Sequence, residues 1–295
     1  MKKWMMCFLI GVMLMALAAC GTSTSTSTGA SSSNESTLEK LKKQGYATVG
    51  FANEIPYAYA TSDGKLTGES VEVARAVLKR LGIKEVNGVL TEFGSLIPGI
   101  KAKRFDMITA GMYITPERAK EVAYGNPDYM IGQAIAVKKG NPLDLHSYED
   151  IAKNEKVKVG VIGGSVESGY LTEVGVAKDQ ISIFPDNSSL ISALQAQRVD
   201  TVTVSGPSIR KMLESANDSN IEGVEDFKQP VIDGKSFRAY GAIVFRKEDD
   251  EFRKAYNKEL QALKDSGELL EILKKFGMSE DELPKDVTVE DVLKN

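Results

Sequence analysis

One stretch limits the possible folds more than any other: Asp106-Met107-Ile108-Thr109-Ala110-Gly111-Met112-Tyr113-Ile114-Thr115-Pro116-Glu117-Arg118. It opens as a short apolar run, the pattern of a buried strand. Gly111 removes a Cβ where the backbone must come close to something. Thr115 reads as a helix N-cap, Pro116 as the first helical residue and Glu117-Arg118 as the first turn. A strand therefore ends, a loop carries Tyr113, and a helix opens with an arginine. Helix N-termini favour anions, and a guanidinium grips a carboxylate bidentately. The stretch is expected to form one wall of a small-molecule site, although the spacing alone also suits an ordinary strand–helix junction with a surface arginine.

The residues before it supply a β-α-β-α-β run. Leu38 to Gly45 reads as a short helix stopped by glycine, and Tyr46 to Phe51 alternates like a strand. The loop Ala52-Asn53-Glu54-Ile55-Pro56-Tyr57 follows that strand. Ligands bind at this edge of an open α/β sheet, so Glu54 and Tyr57 are candidates. Asp63-Gly64 marks a hairpin turn. Gly68 to Gly82 is an amphipathic helix with Val71, Ala74, Val77, Leu78 and Leu81 on its core face. Glu85 to Leu90 is a second strand whose terminal loop holds Phe93. Ser95 to Lys103 is a helix and Phe105 to Ala110 a third strand, giving an α/β fold with a parallel sheet.

A strand is expected from Gln133 to Lys138, broken by Lys139-Gly140-Asn141-Pro142, where a domain boundary is placed. A second, similar unit follows: strands at Val157–Val161, Ile181–Phe184 and Val199–Val204, and a glycine-rich turn, Gly163-Gly164-Ser165-Val166-Glu167, into a helix. That turn suits a polar ligand, but it lacks the Lys-Ser/Thr ending of a P-loop and the Gly-x-Gly-x-x-Gly pattern, so no nucleotide is assigned. Ser236 to Phe245 returns as a strand before two amphipathic helices, Glu251 to Lys264 and Gly267 to Phe276. Two linking strands, Gln133–Lys138 and Gly241–Phe245, would let two lobes close on each other.

Composition narrows the chemistry. At 295 residues the chain has room for two ordinary domains. A net charge of −4 and a pI near 5.4 give no basic footprint for nucleic acid. His146 is the one histidine, a poor start for a histidine-based metal or catalytic site. Both cysteines, Cys7 and Cys20, fall in the first twenty residues, which leaves no thiol for the folded part. Met1-Lys2-Lys3 followed by an apolar run from Trp4 to Ala19 has the length of a secretory signal. Leu17-Ala18-Ala19-Cys20-Gly21 resembles the lipobox of bacterial lipoproteins, which implies cleavage after residue 19 and lipid on Cys20; an uncleaved anchor helix is the other reading. Gly21 to Thr37, rich in Ser, Thr and Gly, reads as a flexible tether.

The motifs resemble the extracellular solute-binding proteins of ABC importers, in the family of polar amino acid binders. Gly68-Glu69-Ser70-Val71-Glu72-Val73-Ala74 is similar to that family's Gly-aromatic-Asp-x-Asp-x-Ala helix start, with Glu69 replacing an apolar residue. Leu96-Ile97-Pro98-Gly99-Ile100, Phe105-Asp106-Met107-Ile108, Thr115-Pro116-Glu117-Arg118 and Asn126-Pro127-Asp128-Tyr129 follow in the family's order. The resemblance spans Leu38 to the C-terminus. It implies a two-lobed periplasmic-binding-protein-like fold of type II, with the ligand in the interlobe cleft. Lobe 1 would comprise 38–137 plus 240–295 and lobe 2 residues 138–239. It implies Arg118 as the clamp for a ligand carboxylate, with Gly111 placing backbone groups beside it. Members that bind α-amino acids usually carry an aspartate near the position of Ser205, and no acid stands there.

Asn53-Glu54-x-Pro56 with Tyr57, Ile108-Thr109-Ala110-Gly111 with Tyr113, and Lys138 to Leu143 resemble the ectoine- and hydroxyectoine-binding members. Those members imply an aromatic cage of Tyr57, Phe93 and Tyr113 around a delocalised amidinium, with Glu54 and Glu167 as acceptors; Val166 replaces a threonine. The expected role is capture of a small zwitterion, ectoine or hydroxyectoine, for an ABC permease, by a membrane-anchored monomer without cofactor. The competing expectations are a binder of polar or cationic amino acids and a cyclic-acid dehydratase on the same fold.

Overall fold

The computed structural model describes residues 35–232, 235–236 and 238–294. The expected signal, the lipidated Cys20 and nearly all of the tether lie outside the described residues. Ser36 caps the helix Thr37–Gln44 and exchanges hydrogen bonds with Glu39 in a capping box, and Gly45 closes the helix in the left-handed region.

Two five-stranded sheets form the two lobes. The first runs in the order Glu85–Leu90, Tyr46–Phe51, Met107–Ile108, Val244–Phe245, Ala123–Tyr124. The second runs Ile181–Phe184, Val159–Ile162, Thr201–Ser205, Gln133–Lys138, Ile221–Gly223. In each sheet the first three strands are parallel and the fourth is antiparallel to its neighbours. The reason is topological. The fourth strand of each sheet is the first one laid down after the chain crosses from the other lobe.

This corrects two expectations. The strand Gln133–Lys138 is not in lobe 1 but central to the second sheet, paired with Thr201–Ser205 on one side and Ile221–Gly223 on the other. The first crossing therefore lies at Gly132, not at residues 137–138. The expected return strand 236–245 is also broken: Ala239–Gly241 pairs antiparallel with Tyr129–Ile131, while Val244–Phe245 belongs to the first sheet. The two connecting segments are thus the paired strands Tyr129–Ile131 and Ala239–Gly241. A Cβ on Gly241 would fall 1.8 Å from the Tyr129 ring, so only glycine fits there.

Packing follows the amphipathic patterns. The helix Glu69–Arg80 buries Val71, Val73, Ala74, Val77 and Leu78, and Leu81 just beyond it is half-buried. Asp250–Asp265 and Glu268–Lys275 bury Phe252, Tyr256, Leu260, Leu263, Leu269, Ile272 and Leu273 against the same lobe. A short C-terminal helix, Val289–Lys294, was not expected; Val289 is buried and its N–H donates to Asn126 Oδ1 at 3.3 Å. Among the described residues no helix is long and apolar enough to cross a membrane.

Candidate functional site

Each candidate residue sits just beyond the C-terminal end of a strand, where a parallel sheet opens its binding crevice. After Tyr46–Phe51 the chain turns tightly. Glu54 N–H donates to the Ala58 carbonyl at 2.8 Å, and the N–H groups of Tyr57 and Ala58 both return to the Glu54 carbonyl at 2.9 Å. The N-terminus of Glu69–Arg80 braces this loop from behind: Glu69 N–H reaches Pro56 O at 2.8 Å and Ser70 N–H reaches Tyr57 O at 3.0 Å. Phe93 opens a short 3₁₀ turn after Glu85–Leu90.

Gly111 takes a left-handed conformation, and a Cβ there would fall 2.5 Å from the Tyr57 ring. The glycine is therefore required by Tyr57 itself. Ile114 N–H donates to Tyr240 O at 2.9 Å, which fixes the following loop to a connecting strand. Thr115 caps the single turn Pro116–Ala119 as expected, accepting from the Arg118 N–H at 3.2 Å. The Arg118 guanidinium donates from Nη1 to Tyr113 O and from Nη2 to Gly164 O, both at 3.0 Å, and lies 5.5 Å from the Phe93 ring centroid.

The second lobe approaches from the turn after Val159–Ile162 and from the cap of the helix Gly206–Ala216. Ser205 is that cap, with Ser208 N–H at 3.4 Å. Tyr57 donates its hydroxyl to Ser205 Oγ at 2.9 Å, and the Ser208 hydroxyl lies 3.0 Å from Ile55 O and 3.3 Å from Glu54 Oε1. Gly94 and Gly164 meet backbone to backbone: a Cβ on Gly164 would fall 2.5 Å from Gly94 Cα. The lobes are closed on one another.

Between them lies a narrow cavity of about 20 Å³. Glu54, Phe93, Gly111, Tyr113, Arg118 and Glu167 all line it, joined by Ile162, Ser165, Val166, Val204 and Ser205. Six of the seven residues singled out from sequence thus meet in one place. Tyr57 is the departure: it stands behind the wall, its ring 5.1 Å from that of Tyr129 and its hydroxyl engaged by Ser205. Ile162, Ser165 and Val204 were not foreseen. Val204 read as a core strand residue and Ile162 fell between a strand and the glycine-rich turn, and no polar signal marked either.

The cavity carries two carboxylates against one guanidinium. Burial, reinforced by the nearby Glu167 charge, pushes Glu54 up to about 8. Burial also raises Glu167, with Arg118 opposing. The unliganded closed cavity therefore has a net demand for positive charge. Arg118 offers the reverse, a donor fork for an anion, since its bond to the neutral Gly164 carbonyl can be exchanged for a stronger one to a carboxylate. Aromatic faces at Phe93 and Tyr113 suit a weakly hydrated cation. The arrangement can hold a small zwitterion with its two charges pointed apart.

The sequence profile of the bacterial extracellular solute-binding proteins, family 3, matches residues 47–279. A probable amino-acid ABC transporter periplasmic-binding protein of Sinorhizobium fredii is 37% identical over 243 residues, 82% of this chain and 80% of that one. Among solved structures, EhuB in complex with hydroxyectoine aligns with a TM-score of 0.78 at 40% identity, covering 83% of this chain and 93% of that one. An ancestral amino acid-binding protein, a precursor of cyclohexadienyl dehydratase, aligns with a TM-score of 0.71 at 27% identity over 82% and 99% of the two chains.

Proposed function

The chain belongs to family 3 of the bacterial extracellular solute-binding proteins, and on that premise we propose that it captures ectoine or hydroxyectoine outside the cell and delivers it to an ABC permease. Ectoine joins a carboxylate to a cyclic amidinium whose charge is spread over the ring. In this reading the carboxylate takes the place of Gly164 O on Arg118 while Nη1 keeps its hold on Tyr113 O. The amidinium lies against Phe93 and Tyr113 and donates N–H groups to Glu54 and Glu167. Tyr57 acts from behind, by fixing Gly111 and Ser205. The hydroxyectoine complex of EhuB agrees with this ligand class. Cys20 carries the lipid that tethers the protein, and the monomer performs no turnover.

The observation that carries the reading is the meeting of Arg118, Glu54, Glu167, Phe93 and Tyr113 in one closed cavity whose second-lobe wall has Ser205 where an α-amino acid binder would have an acid. At Ser205 a localised ammonium would find a hydroxyl in place of a carboxylate. The experiment is calorimetry on the full-length protein against ectoine, hydroxyectoine, proline, glycine betaine, glutamine and arginine. Micromolar or tighter binding of ectoine or hydroxyectoine alone is expected. A polar or cationic amino acid is the second reading, favoured by the two carboxylates and by the named function of the Sinorhizobium relative. Binding of arginine or glutamine without ectoine would establish it. Turnover of a cyclic acid would instead establish a dehydratase.

A further inference from the structure

The helix Gly206–Ala216 of the second lobe meets the ligand loop of the first through three hydroxyls. Tyr57, Ser205 and Ser208 are 1%, 3% and 0% exposed, so none of them can turn to bulk water while the lobes are closed. Tyr57 donates its hydroxyl to Ser205 Oγ at 2.9 Å, and Ser205 donates its own to Ser208 Oγ at 3.1 Å. The Ser208 hydroxyl then faces two acceptors on the loop, Ile55 O at 3.0 Å and Glu54 Oε1 at 3.3 Å.

The chain runs in one direction. Ile55 O has no proton, so Ser208 donates to the loop. Its oxygen therefore accepts from Ser205, and Ser205 accepts from the phenol. Burial raises Tyr57 well above the ordinary tyrosine range, which keeps the phenol proton in place.

Ser205 is fully engaged by this chain. A hydroxyl has one proton and two lone pairs. The proton goes to Ser208, and the lone pairs take the Tyr57 phenol and the Ser208 N–H, the latter at 3.4 Å. Ser205 borders the cavity, but its oxygen keeps no bonding position for a solute. Both ends of the chain are fixed by their own lobes. Glu54 N–H bonds Ala58 O at 2.8 Å and Ser70 N–H bonds Tyr57 O at 3.0 Å in the first lobe. In the second, Ser205 caps the helix and Ser208 lies in its first turn. Partners already held in place lose little freedom when they meet.

We propose that Ser205 and Ser208 are positioning residues that join Tyr57 in a one-way hydroxyl chain, and that this chain holds the Glu54–Tyr57 loop on the second lobe whether or not a solute is bound. It begins and ends on the loop and passes through the second lobe, so opening the lobes breaks it at both ends. It stabilises the closed form equally for any solute, and so raises every affinity by one common factor without choosing among solutes. The closure without solute is independent of the ectoine reading.

The test is energy transfer between dyes on the two lobes of the full-length protein without solute, read as the ratio of closed to open molecules. Ser208→Ala, which a helix accepts readily, and Tyr57→Phe should each lower that ratio roughly fivefold, the change for one net hydrogen bond. Ser205 is left unmutated because it also caps the helix. Linked hydroxyls strengthen one another, so the double variant should fall by clearly less than the product of the two single factors. A fall equal to that product makes the two bonds separate contacts and overturns the chain, and so does a ratio that Ser208→Ala leaves unchanged. Calorimetry then separates positioning from ligand contact. Ser208→Ala should weaken every solute of the panel that binds by the same factor, and losses that differ from solute to solute overturn the positioning role. Failure of ectoine and hydroxyectoine to bind defeats the ligand reading and leaves the energy-transfer arm to decide the chain.

Discussion

The two lobes bring unlike things to the same cavity. The first contributes Glu54, Phe93, Gly111, Tyr113 and Arg118, on loops and single helical turns beyond strand ends. The second contributes Ile162, Ser165, Val166, Val204 and Ser205, small or aliphatic groups on tight strand–helix turns, with Glu167 the one charged exception. The difference assigns the tasks. On the proposed reading the first lobe recognises, because its polar groups are held in place before any ligand arrives. The second lobe closes, excludes water and adds one carboxylate, so the full charge complement exists only in the closed form. In a buried cavity each ionic contact is worth more than in water.

The largest effect expected from breaking this division is Arg118→Ala. It removes the cavity's one guanidinium and leaves a ligand carboxylate buried without a partner, at a cost of roughly 3 kcal/mol or more. Calorimetry should show a loss of at least about a hundredfold, with the melting temperature little changed. A second-lobe variant should act differently. Gly164→Val places a branched side chain at a left-handed position against Gly94, so ligand-induced compaction in small-angle scattering should disappear while both lobes stay folded. If Gly164→Val compacts normally, the closing role of that turn is wrong.

The acid–base behaviour of Glu54 sharpens the same contrast. With the lobes shut and no ligand, burial and the Glu167 charge raise its carboxyl from the ordinary range to about 8. Unliganded closure is therefore stabilised in acid and fades as pH rises between the ordinary value of about 4.5 and the raised one. Fluorescence energy transfer between dyes on the two lobes should report fewer closed molecules at pH 8 than at pH 5, and Glu54→Gln should flatten the curve. Tyr57→Phe should have the smallest effect. It deletes one interlobe hydrogen bond and nothing that touches the ligand, so affinity should fall by about 1 kcal/mol, a fewfold to tenfold change.

The elements were legible where local chemistry and packing agree. The cap at Thr115, the hairpin at Asp63-Gly64 and the strand Ile181–Phe184 each emerged where the residues pointed. The lobe crossing did not, because Gln133–Lys138 has the same apolar pattern whichever sheet receives it. Only its pairing with Thr201–Ser205 decides. The convergence on one cavity was legible through charged residue types placed beyond strand ends: Glu54, Arg118 and Glu167. Tyr57 was misjudged in placement because sequence gives the loop but not the direction of its ring. That direction is fixed by contacts remote in sequence, with Gly111, Tyr129 and Ser205. Glu69 showed only as an anomaly at an apolar position.

The most direct test of the division between a recognising and a closing lobe is the crystal structure with the tightest-binding solute of the panel. The account predicts the ligand carboxylate on Arg118, with Nη2 withdrawn from Gly164 O and Nη1 still on Tyr113 O, and the cationic end between Phe93, Tyr113 and the two glutamates. A complex in which Arg118 keeps its bond to Gly164 and the carboxylate rests on second-lobe groups would contradict it.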